Sequence, residues 1–90
     1  MHLYELGGDY ISQLTEDDIK ILKTIYEMER ATPEELAQKL GEPYTAQDLV
    51  AYLNWLEKGN LLNKALEDPL TYKLSGLALI AIGALSLIHI

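Results

Sequence analysis

TPEELAQKLGEPYTAQDLVAYLNWLEKGNLL, residues 32–62, reads as two helices joined by a tight turn. Thr32 is followed by Pro33 and then by Glu35. A Thr oxygen at a helix start accepts an orphan backbone N–H of the first turn. The acid three residues on reaches back to the cap and also meets the positive end of the helix dipole. Pro suits the first helical position, where its missing N–H costs nothing. This predicts a helix over Pro33–Leu40, burying Leu36, Ala37 and Leu40 and stopping at Gly41. Gly41, Glu42, Pro43 and Tyr44 make the turn. Thr45 and Asp48 repeat the start signal in a weaker form and predict a second helix over Ala46–Lys58. Its apolar stripe is Leu49, Tyr52, Leu53 and Leu56. Asn60 suits a left-handed stop, because Asn tolerates that conformation better than most residues.

The same start signal stands upstream. Leu14, Thr15 and Asp18 open a helix expected over Glu16–Glu29, with Ile19, Leu22, Ile25 and Tyr26 inward and Ile21 and Met28 beside them. Residues 1–13 contain Gly7 and Gly8, which discourage a continuous helix. They read as an extended or partly helical arm that packs Tyr4, Leu6, Tyr10 and Ile11.

Downstream the period changes from helical to alternating. Residues 61–66 and 70–74 read as two short strands around an acidic turn, Glu67-Asp68-Pro69. Ser75 caps a last helix expected over Gly76–His89. From Leu74 to Ile90 there is no Asp, Glu, Lys or Arg. That length is at the lower edge of a bilayer span, but flanking cations and an aromatic belt are missing. The segment therefore reads as a buried or docking helix.

The order of elements over residues 14–85 resembles the winged helix-turn-helix superfamily. LEKGNLL (residues 56–62) is similar to the family's Leu-Glu-x-x-Gly-Leu exit from its recognition helix, with Asn60 in the Gly place. YKLSGLAL (residues 72–79) resembles the segment where the second wing strand enters the last helix. The resemblance implies a mainly α fold with a small β-wing: a three-helix core, a two-stranded antiparallel wing and an apolar carboxy-terminal helix. The expected division is an arm at 1–13, a core at 14–74 and the terminal helix at 75–90. It also implies a relation to archaeal and bacterial transcription regulators, in which the third helix lies in the DNA major groove.

The outward side of the third helix carries Gln47, Ala51, Asn54 and Lys58. Gln and Asn can read adenine edges, and a small Ala permits close approach. The same residues equally suit a solvated polar face. Lys58, Lys64 and Lys73 are the candidates for holding phosphates. Charge argues the other way. The 90 residues hold seven basic and fourteen acidic side chains, a formal net charge of −7, and the cations form no cluster. Two readings follow. One is a regulator-like protein that binds duplex DNA weakly or as a homodimer. The other is an acidic protein-interaction module that binds no nucleic acid.

An aromatic Trp55 at the edge of that face suits the core rim or an interface anchor. In the terminal helix Leu77, Ile80, Ile82, Leu85, Leu87 and Ile88 point in every direction. One side can pack on the first helix, which leaves the other for a second copy, a following domain or a protein partner. No catalytic constellation is present. The two His, at positions 2 and 89, stand near the termini, and there is no Cys, so no enzyme activity, metal or cofactor is expected. The absence of Cys and of a signal-peptide pattern in MHLYELGGDY fits a cytoplasmic setting.

Overall fold

The computed structural model describes residues 14–83. The elements are α1 (Glu16–Met28), α2 (Pro33–Leu40), α3 (Ala46–Lys58), β1 (Leu62–Glu67), β2 (Leu70–Leu74) and α4 (Gly76–Ala81). The layout is mainly helical, with four helices and one antiparallel hairpin among the described residues. The arm expected at 1–13 lies outside them.

Each helix begins where its cap chemistry places it. Thr15 accepts from the Asp18 N–H while the Asp18 carboxylate accepts from the Thr15 N–H at 2.9 Å. Thr32 and Glu35 make the same reciprocal pair. At α3 only half of it forms: Thr45 accepts from the Asp48 N–H at 3.1 Å. Ser75 caps α4 by accepting from the Ala78 N–H, and its hydroxyl donates to the Asn60 carbonyl at 2.6 Å. One serine thus starts the last helix and fastens it to the exit of α3.

The exit itself turns on a positive φ. Asn60 sits at φ 67, where an L side chain normally crowds its own backbone. This reversal lets the Leu61 N–H bond back to the Leu56 carbonyl and sends Leu61 and Leu62 into the core. Gly41 ends α2 at φ 79 and ψ −175, a region open essentially to glycine alone.

The core is drawn from every element. Leu22 and Ile25 of α1, Leu36 of α2, Leu53 and Leu56 of α3, Leu61, Leu62 and Tyr72 are all essentially solvent-free. Ala78 seats α4 on this core. The hairpin pairs Leu62 with Leu74 and Lys64 with Tyr72, with an irregularity at Ala65. On the other edge of β2, Ala31 and Tyr72 exchange two backbone hydrogen bonds of 2.9 Å. The α1–α2 connection is therefore tied to the hairpin, a pairing that one isolated residue gives no sequence pattern to announce.

Three expectations are corrected. Tyr26 is not inward; it is 49% exposed. Ile21, not Ile19, completes the buried arc of α1, and at about 100° per residue Tyr26 lies roughly 95° from the centre of the Ile21–Leu22–Ile25 arc. The first strand is shifted one residue, to Leu62–Glu67, because Leu61 is spent in closing the α3 exit. The last helix closes at Ala81, not His89: Ile82 caps it and Gly83 takes φ 82. Residues 84–90 fall outside the described part.

Candidate functional site

The outward face of α3 follows from its inward one. With Leu49, Leu53 and Leu56 buried, Gln47, Ala51 and Lys58 emerge together in solvent. Asn54 does not emerge freely. It is half-buried, and its Oδ1 accepts a hydrogen bond from the Tyr72 hydroxyl at 2.8 Å. Tyr72 is fully buried in β2, and a buried phenol needs a partner for its O–H. Asn54 supplies one. The carbonyl that would accept from an adenine amino group is thus engaged in joining α3 to the hairpin. Burial, then the nearby Glu57 charge, raises the Tyr72 pKa, which keeps this donor protonated.

The three lysines do not form one strip. Lys64 pairs in register with Tyr72, on the α3 side of the hairpin, and its Nζ lies 3.9 Å from a Glu57 carboxylate oxygen. A long, exposed pair like this contributes little stability, but it cancels the charge offered to a phosphate. Lys73 follows Tyr72 along β2, so strand alternation turns it to the opposite face. There it lines a groove with Tyr26, Glu29 and Leu79. Among the described residues, Lys58 is left as the cation of the α3 face without an ion-pair partner. Glu67 and Asp68 at the hairpin tip are exposed and acidic, and Asp48 is exposed in the first turn of α3. A ligand approaching the amino-terminal end of α3 meets the Asp48 carboxylate.

Trp55 is half-buried and stacked on Tyr52, with ring centroids 6.1 Å apart and planes at 28°. That position is the core rim, one of the two placements its spacing suggested.

The second candidate surface lies between α1 and α4. Ile80 is 39% exposed, on the side of α4 away from Ala78. Leu77 and Ile82 are half-buried and pack on the core. Leu85, Leu87 and Ile88 lie outside the described residues. Tyr26, which sequence spacing assigned to the core, stands between two shallow grooves: one it shares with Leu74 and Leu79, the other with Ile82 and Gly83. The signal that would have found it is the phase of α1, set by Ile21.

Among the described residues, no group of three or more His, Cys, Asp or Glu is placed to hold a metal ion. No described helix is long and apolar enough to cross a membrane. No protein-family model, curated protein or solved structure matches this chain.

Proposed function

We propose that this chain is a winged-helix protein-interaction module that self-associates through its α1–α4 face and does not use α3 as a DNA reader. One observation carries the reading. The polar and basic groups a DNA reader would need are dispersed or engaged, while Tyr26 of α1, beside its two grooves, and Ile80 of α4 leave apolar surface open to solvent. Phosphate neutralisation supplies most nucleic-acid affinity, and a net charge of −7 opposes it. Apolar side chains beside shallow grooves instead offer area for a two-fold contact, in which each Ile80 can enter the groove beside the other copy's Tyr26. The same net charge sets a condition on this contact: added salt screens repulsion between copies and strengthens the association. Sedimentation of the full chain over a concentration series tests the reading. A dimer that gains population with salt supports it.

The DNA-binding regulator remains the second reading, favoured by the joint exposure of Gln47, Ala51 and Lys58 on α3. It requires affinity for duplex DNA that falls steeply as salt rises. A fluorescence titration of duplex DNA at low salt separates the two: saturable binding there supports the regulator, and its absence supports the interaction module.

A further inference from the structure

A third surface, which borders the α3 face at Asp48, has a definite chemistry. The first turns of α1 and α3 and the α2–α3 turn enclose a groove of about 580 Å³. Buried Ile21 and Leu49 form its floor, and Tyr44 and Tyr52, both half-buried, wall it. Asp17, Asp18 and Asp48 line it, and no Lys or Arg does. In this it differs from the grooves around Lys20 and Lys23, around Arg30 and Lys39, and around Lys73.

The three carboxylates are not equivalent. Asp18 is internally committed. Its Oδ2 accepts from the Thr15 N–H and hydroxyl at 2.9 and 3.1 Å, and its Oδ1 accepts from the Tyr52 hydroxyl at 2.6 Å. That last bond fixes the ring of Tyr52 as a wall. Neither the Asp17 nor the Asp48 carboxylate accepts a hydrogen bond or joins an ion pair among the described residues. Two carboxylates, each in the first turn of its helix and without a side-chain partner among the described residues, therefore flank an apolar, aromatic slot. Tyr52 registers the field: burial first, then the hydrogen bond and charge of Asp18, with Tyr44 and Asp17 adding, resists ionisation of its phenol.

We propose that this groove docks an arginine side chain from a basic protein segment. A guanidinium has the required shape and charge. Its planar face stacks on tyrosine, its apolar stem covers Leu49 and Ile21, and its N–H fork reaches a carboxylate in bidentate fashion. Lysine offers a point charge without the plane and binds more weakly. A phosphate or a nucleic-acid backbone is repelled. The occupant is a protein partner of opposite charge, and the docking is independent of self-association through α1 and α4.

The test uses the full chain and a capped Gly/Ser hexapeptide carrying two arginines, followed by amide chemical shifts and by Trp55 emission. Trp55 stacks on Tyr52 and is the single tryptophan, so it reports on the wall. Saturable shifts centred on Tyr44, Asp48 and Tyr52 are expected, with no response to the citrulline version of the peptide. Asp48→Asn weakens binding about tenfold, the loss of one charge-assisted contact. Glu57→Gln removes the same charge elsewhere and changes it less than about twofold. Equal weakening by the two variants, equal binding of the citrulline peptide, or no binding at low salt overturns the inference. Groove binding by a monomeric chain sinks only the self-association reading. A dimer that ignores the peptide sinks only this one.

Discussion

Asn60 is a single residue on which the chain path depends. Its φ of 67 is tolerated by Asn and free for Gly, but costs other L residues about 1 kcal/mol or more. Asn60→Ala is therefore expected to lower stability by about 1 kcal/mol, and Asn60→Gly to leave it level or raise it. Thermal unfolding reads the difference as a Tm separation of about 4–8 °C. Equal Tm values for the two variants would show that the exit of α3 does not hold this conformation. Tyr52 makes a second residue-scale prediction. Its folded pKa is raised from an unfolded value of 10.0 by burial and by Asp18. Above pH 10 the unfolded chain releases this proton while the folded chain keeps it, so the unfolded state binds fewer protons and stability falls as pH rises. Below pH 10 the contribution is fully present. Tyr52→Phe should flatten this alkaline decline, leaving the smaller one due to Tyr72. Denaturant midpoints between pH 9 and 11 decide it, and an unchanged slope would contradict the assignment.

At the scale of elements, helix starts were legible and surface partnerships were not. Thr15, Thr32 and Thr45 announce α1, α2 and α3 because capping is local: donor and acceptor lie three residues apart. Thr32→Ala should therefore cost about 1 kcal/mol, and Thr45→Ala less, since α3 lacks the reciprocal half of the box. Chemical denaturation of both variants checks the order; a larger loss at Thr45 would reverse it. The hairpin was legible too, from alternation and the Glu67-Asp68-Pro69 turn. What escaped sequence reasoning depends on long-range contact. Asn54 looks like a free polar side chain until Tyr72, eighteen positions away, donates to it. Asp18 shows its capping role in sequence, but not its second role under Tyr52, thirty-four positions away. Lys64 and Lys73 appear as one pair of basic wing residues until the register assigns them to opposite faces. Tyr26 was misplaced for a subtler reason, since two apolar phases of α1 are nearly equivalent and packing of Ile21 selects one.

For the whole molecule, the distribution of charge matters more than its total. The cations that the fold brings near α3 are few, and Glu57 neutralises one of them. Of the apolar residues that the sequence pattern marked on the last helix, Ile80 is exposed, while Leu77 and Ile82 pack on the core. Self-association through the α1–α4 face is the central claim, and Ile80 tests it with little risk to the fold. A side chain 39% exposed tolerates a polar replacement. Ile80→Lys also brings the formal charge nearer to zero, so lost association cannot be blamed on added repulsion. Sedimentation equilibrium of the wild-type chain and Ile80→Lys, with far-UV circular dichroism confirming the fold of both, is the most direct measurement. A wild-type dimer that becomes monomeric in Ile80→Lys is predicted. A wild-type chain that stays monomeric at every concentration, or a dimer that Ile80→Lys leaves intact, would contradict it.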